Sequence, residues 1–445
     1  MKEFDTQEKI KKETDDKYAK ERRKTFFALG MLGVVLLALL LLGAGTALLI
    51  WNRASLPFYC VKYAISGAPE YEDRNCNGLC DAEEDALKEL IKQQRENGAS
   101  VSNNLYSLQY VWEDGHLEEI EWEKKGLTGE ISFQMFPYLN CLKCNDNFLT
   151  KVDMANHPQM YLARLNNNSI TSADFSGSNI KYLYLNENEL TEIRLDGCDG
   201  LKTLSCNGNR IEHLDLLDKT QLQELECADN SLKTLLCYSK SELTRVDCSN
   251  NELEVLDLSG CIRIESLSCE NNPLKELDVS HMKSLKRLKA TVPQIELSEN
   301  TKLTNITLTG LDMEELDFGN CSEAEWIILD SCRADSILFG KMEALTNLTM
   351  TKCKIQEFDL SGMPNLEVLY CTESGIKELD LHANTELKEL YCYYNDLKRL
   401  DLKANRELTD VACHENPLQV VFLPSDAKLE KHKVIADPGV VLNWN

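Results

Sequence analysis

The sequence predicts a solenoid: a curved parallel β-sheet, mostly β with short turns or 3-10 segments on the convex side, after a single transmembrane α-helix. Two observations predict the solenoid. Stretches such as LKTLSCNGNRIEHLDL at Leu201, LQELECADNSLKTLLC at Leu222 and LTRVDCSNNELEVLDL at Leu243 recur every 21 residues. An asparagine then holds a fixed place in them, at Asn209, Asn230, Asn251, Asn272, Asn395 and Asn416. A third predicts the helix: Phe26 to Ile50 contains no charged residue.

Residues 1–25 carry nine Lys/Arg and seven Asp/Glu, and are expected to form a cytoplasmic tail. They are too few for a folded signalling domain. Residues 26–51 read as a signal anchor. As a helix the apolar run spans about 37 Å, enough to cross a bilayer. A cleavable signal peptide would have a shorter apolar core. Eight basic residues lie between Lys9 and Lys24, against Arg53 and Lys62 on the other side. The positive-inside rule therefore expects a single-pass protein of the plasma membrane, N-terminus in the cytoplasm and C-terminal repeats extracellular.

Residues 52–104 read as a membrane-proximal stalk. Within it, DRNCNGLCDAEE (73–84) matches the twelve-position EF-hand loop. Asp73, Asn75 and Asn77 fall at positions 1, 3 and 5, Gly78 at the sharp turn, Asp81 at 9 and Glu84 at the bidentate place. Leu79 would add its carbonyl. The run supplies the oxygens Ca2+ needs, and DALKELIKQQREN reads as the exiting helix. No entering helix is legible, and Cys80 replaces the usual apolar residue. The bland alternative is a solvated acidic turn capping a helix. The run also resembles the short calcium motifs of bacterial surface proteins. A disulfide among Cys60, Cys76 and Cys80 is expected, with the pairing open.

Residues 105–423 hold the repeats. In LxxLxC the leucines and cysteine face inward on a short strand, the asparagine turns the chain, and its amide bonds backbone that no strand satisfies. One unit cannot bury its apolar face alone, so fifteen units stack. The unit at Leu285 is short, with 18 residues to the next. The pattern looks like a leucine-rich repeat with cysteine in place of the third leucine. Its period and cysteine column resemble the cysteine-rich internalins, bacterial surface proteins. That resemblance implies extracellular binding or adhesion to a host surface. Unlike secreted internalins, this chain carries an anchor helix and ends at VVLNWN without an LPxTG-type signal, so membrane attachment is expected. Residues 424–445 are expected to cap the array.

Of the 18 cysteines, Cys144, Cys206, Cys227, Cys248, Cys269, Cys371, Cys392 and Cys413 share the inward slot. They read as free thiols acting as small hydrophobes, because parallel stacked strands orient Cβ vectors poorly for bridging. Cys198, Cys261 and Cys321 share a second slot with Met282, Met342, Met363, Asn384 and Asn405. In CLKC, Cys144 should point inward and Cys141 outward, which excludes a shared metal.

Strand alternation identifies the outward residues. Arg245, Arg287 and Lys289 form a basic strip. Trp326, Ile328, Tyr370, Tyr391 and Tyr393 form an aromatic cluster, with Ile328, Thr349, Tyr370, Tyr391 and Ala412 in one row and Tyr393 beside His414 in the next. Clustered exposed aromatics mark binding surfaces, although β-propensity alone also enriches tyrosine in strands. Asn167, Asn305, Asn320 and Asn347 lie in N-x-S/T sequons.

The net charge of −25 opposes nucleic-acid binding. No nucleophile elbow, HExxH, Walker loop or dinucleotide fingerprint is present, so an enzyme is not expected. The sequence points to a membrane-anchored extracellular protein that binds a protein or glycan through its concave face. The alternative is a structural envelope spacer without a dedicated soluble ligand. Gly43, Ala44, Gly45 and Ala47 also allow helix packing within the membrane.

Overall fold

The structure is a computed structural model that describes residues 71–425 and 428–444. The expected tail (1–25) and membrane span (26–51) lie outside the described residues, as does Cys60. Among the described residues no helix is long and apolar enough to cross a membrane. The chain divides into two compact units, Met1–Asp81 and Ala82–Asn445. The second takes in both the helix expected in the stalk and all the repeats.

The repeats stack into one sheet of seventeen strands. It opens with an antiparallel hairpin, Tyr110–Glu113 and His116–Glu121, turned by Asp114 and Gly115 at positive φ. Every later neighbour is parallel, one strand per unit. The register follows the repeat, with Leu204 beside Leu225, Leu225 beside Val246 and Val246 beside Leu267. A side-chain period of two then sends each leucine and cysteine of LxxLxC into the core, where Leu204, Leu225, Cys206, Cys227, Cys248 and Cys269 are fully buried.

The asparagines work as expected. Asn209 donates from Nδ2 to the carbonyls of Leu185 and Cys206, both at 3.0 Å, and accepts from the Leu190 amide at 3.0 Å. Asn395 repeats the pattern with Cys371, Cys392 and Ile376. The residue before each asparagine turns the chain through the left-handed region, as at Asp229 (φ 55°), Asn250 (53°) and Tyr394 (57°). In mid-array the asparagine is replaced. Cys332, Cys353 and Ser374 occupy its slot and donate to the carbonyls of Leu308, Leu329 and Met350.

The side opposite the long sheet differs from expectation. Instead of turns and 3-10 segments it carries four further parallel sheets, of four, two, three and three strands. The only 3-10 segment among the described residues is Lys431–Lys433. The LxxLDL half also alternates inward and outward, so neighbouring units pair their backbones there too. The pairing lapses at 213–215, over 276–278 and 294–298, and at 378–380, where no strand forms.

A helix, α1 (Asp81–Glu96), closes the first repeat. Leu87 and Ile91 are buried. Gln94 exchanges two hydrogen bonds with the Thr128 backbone, at 3.0 and 3.1 Å. Glu83 accepts from the Leu117 amide at 2.7 Å and meets His116 Nδ1 at 2.6 Å. These side chains satisfy edge backbone that the next repeat would otherwise pair. At the other end, Val434–Ile435 and Val441–Trp444 extend the two sheets by one more turn, so the described residues of the expected cap continue the array.

Candidate functional site

The outward face of the long sheet holds the predicted binding residues. The register sets Ile328, Thr349, Tyr370, Tyr391 and Ala412 in one row. Trp326 lies one row over, in line with Asn347, Val368 and Glu389. Its side is 47% exposed, a large apolar surface that packing does not use.

Tyr370 and Tyr391 stack at 4.2 Å between centroids, with planes 11° apart. Tyr393 stacks on His414 at 4.9 Å and 14°. Parallel strands place equivalent side chains about 4.8 Å apart, which is itself a stacking distance, so identical repeat positions produce ring stacks without further design. The Tyr391 hydroxyl donates to Glu389 Oε2 at 3.3 Å. Burial, then the Glu389 carboxylate, pushes the Tyr391 phenol well above its usual range.

Tyr394 completes the cluster, edge-on to both Tyr393 and His414. Sequence reasoning missed it, because its repeat position is a turn. The available signal was an aromatic residue where other units place Asn, Asp, Ser, Gly, Glu or Lys. Its φ of 57° is strained for a large side chain, and its ring is half exposed.

The basic strip adjoins this cluster. Arg245, Arg287 and Trp326 share one row, and Lys289 lies two strands from Ile328 through Thr307. Two strand spacings are about 10 Å. The strip is partly neutralised, since Arg245 Nε pairs with Glu226 at 3.2 Å. Arg287 donates to Ser266 at 3.4 Å, and Lys289 is exposed.

The cysteine column consists of free thiols throughout. Burial pushes Cys206, Cys269, Cys371 and Cys413 up to about 12, and holds Cys227, Cys248 and Cys392 well above the ordinary value of 9.0. Such thiols are neither nucleophiles nor ligands near neutral pH. Cys141 stands on the outer face, as expected, between Glu119 and Leu162, yet it is buried. It is also a free thiol raised to about 12 by burial.

Where the second column is not methionine, several of its residues donate hydrogen bonds. Cys198 and Cys261 donate to the carbonyls of Phe175 and Cys237, and Asn384 and Asn405 each bond two carbonyls. Lys219 and Lys240 occupy the same slot and are buried, which the sequence reading missed. Lys240 Nζ donates to the Leu217 carbonyl at 3.2 Å, and burial lowers its pKa.

In the calcium-like loop, Asp73 accepts from the amides of Asn77 and Gly78 at 3.0 and 2.8 Å. Asn75 and Asn77 accept from the amides two residues on. Gly78 has φ 86°, as the sharp turn requires. Asp81 Oδ2 is held by Arg74 at 2.9 Å, and Glu84, one turn into α1, pairs with Lys88 at 2.6 Å. Cys76 is in a disulfide whose partner lies outside the described residues, and Cys80 is a free thiol.

No known family profile matches the chain, and no curated protein matches it. Solved structures do resemble it. PEPR1–AtPEP1 aligns with a TM-score of 0.65 at 15% identity, over 81% of this chain and 59% of that one. YopM, a leucine-rich effector protein from Yersinia pestis, aligns at 0.55 and 20% identity, over 81% of this chain and 99% of that one. The functional domain of InlJ from Listeria monocytogenes, which includes a cysteine ladder, aligns at 0.45 and 22% identity, over 69% of this chain and 74% of that one. The likenesses to PEPR1–AtPEP1 and YopM establish a leucine-rich-repeat solenoid fold.

Proposed function

We propose that this leucine-rich-repeat chain is a binding protein that engages a protein or glycan partner through the outward face of its long sheet, centred on Trp326, Ile328, Tyr370, Tyr391 and Tyr393. The observation that carries this reading is the pair of adjoining ring stacks, Tyr370–Tyr391 and Tyr393–His414, on a face not covered by any other element of the described repeats. Rigid aromatic anchors on strands supply contact area at low entropic cost. Arg287 and Lys289 extend the surface toward acidic groups on the partner. In this reading residues 26–51 anchor the chain in the membrane with the repeats outside, and the role is adhesion or surface recognition.

The test displays the full-length chain on cells and screens it against protein and glycan arrays, beside the triple variant Tyr370→Ser, Tyr391→Ser, Tyr393→Ser. The reading expects ligands captured by the wild type and lost by the variant. Equal capture by both sinks it, and capture of nothing by either leaves the envelope-spacer account in its place.

A further inference from the structure

On the side opposite the aromatic cluster, the strand pairing lapses over two consecutive units. Val255–Asp257 is the last strand of one sheet and Asp312–Asp317 the first of the next. Between them the segments 276–278 and 294–298 run past without strand pairing. The short unit that begins at Leu285 supplies the second of these segments. The lapse leaves an open groove of about 790 Å³. Its floor is apolar, with Val255 52% exposed and Leu256 and Met313 half-buried.

The walls carry six carboxylates, from Asp257, Glu276, Asp278, Glu296, Glu315 and Asp317, and no lysine, arginine or histidine. Among the described residues none of the six is in an ion pair with a basic side chain. Asp257, Asp278 and Asp317 each accept a backbone amide two residues on, which fixes their orientation but not their charge. A lapse of pairing does not by itself create this. The comparable groove at 378–380, about 760 Å³, mixes Lys377, Lys398 and Arg399 with Glu378, Asp380, Asp396 and Asp401, and Arg399 pairs there with Asp401 at 3.1 Å.

We propose that the groove between Val255–Asp257 and Asp312–Asp317 is a second docking site, and that its occupant is an extended lysine- or arginine-bearing segment of a partner protein. Charge complementarity selects that occupant: a one-sign cleft concentrates the opposite charge, and the apolar floor takes the methylene stems of long basic side chains. Backbone left unpaired along 276–278 gives an extended segment further hydrogen-bonding groups.

Fluorescein-labelled decalysine is the probe, titrated by anisotropy against the full-length chain in uncharged detergent, with labelled decaglutamate as control. The variant Glu276→Gln, Glu296→Gln, Glu315→Gln removes three exposed groove charges and spares the aspartates that hold backbone. Its affinity for decalysine is expected to fall roughly tenfold, as three partly exposed charge pairs would give. The variant Glu343→Gln, Glu378→Gln, Glu386→Gln removes the same charge elsewhere and is expected to lose less than about twofold. Gln294→Lys, a single exposed change at the groove, should also weaken binding and serves if the triple variant fails to fold. The proposal is overturned if both triple variants weaken binding equally, or if neither groove variant changes it. The Tyr370, Tyr391, Tyr393 variant should bind decalysine normally, which separates this site from the aromatic one.

Discussion

Tyr370 and Tyr391, 21 residues apart in sequence, stack with ring centroids 4.2 Å apart and planes 11° from parallel. Each ring covers one face of the other, so a partner meets their edges, their hydroxyls and the two outer faces. Tyr391→Ala should cost a bound partner about 2 kcal/mol, the range of an interfacial aromatic anchor. Tyr391→Phe keeps the stack and should cost less than half of that. Titration calorimetry of both variants against the captured ligand checks it. Equal losses would assign the effect to the hydroxyl on Glu389 rather than to the ring.

Tyr394 holds a left-handed backbone, φ 57°, at a place where glycine would be unstrained. Tyr394→Gly should therefore raise stability by up to about 1 kcal/mol while weakening partner binding. Urea unfolding alongside the binding assay reads both effects. A variant that is less stable would show that the ring's contacts with Tyr393 and His414 outweigh the strain.

Asn395→Ala should destabilise the array by about 2–3 kcal/mol. It leaves the buried carbonyls of Cys371 and Cys392 and the amide of Ile376 without partners, and unmade buried hydrogen bonds are costly. Lys398→Ala, on the exposed face of the same unit, is the control and should change little. Chemical denaturation of the two variants distinguishes them.

The thiol column makes the fold sensitive to alkali. Burial holds each thiol of this column above the ordinary value of 9.0 in the folded chain, up to about 12 for Cys206, Cys269, Cys371 and Cys413. A raised folded pKa gives stability that is complete below the unfolded pKa and is lost as pH rises through the folded one. Unfolding monitored by circular dichroism should thus begin above pH 9 and finish by about pH 12. At pH 8 the column should resist a thiol reagent until denaturant is added, while Cys80 reacts in the native state. Rapid native labelling of Cys392 would contradict this.

The loop from Asp73 to Asp81 is proposed to take calcium weakly, as extracellular sites of this type do. Isothermal titration of the full-length chain should show binding that Asp73→Ala removes. Because Arg74 holds Asp81, Arg74→Ala should bind calcium more tightly than the wild type. Binding unaltered by Asp73→Ala would place the ion elsewhere.

Much of this was legible in the chain. Leu204, Cys206 and Asn209 recur with one period, and a parallel solenoid is the arrangement in which one period satisfies core, turn and backbone together. The rows of the outward face followed from the same arithmetic, which is why Tyr370 and Tyr391 were placed side by side. Tyr394 escaped because its position is defined by backbone conformation rather than by burial. Lys219 and Lys240 escaped because a buried lysine contradicts every compositional rule, and only a facing carbonyl such as that of Leu217 makes the place tolerable.

The sequence alone determined the repeat, its register and the inward column of inert thiols, because periodicity fixes which side chain faces which neighbour. Tertiary structure decided the rest. It set Gln94 and Glu83 of α1 against the open edge of the first repeat, paired the second side of the coil into four sheets, and opened the acidic groove where that pairing lapses. Those outcomes depend on whether adjacent backbones come within hydrogen-bonding reach. That is a property of how successive coils stack, and no single coil's residues encode it.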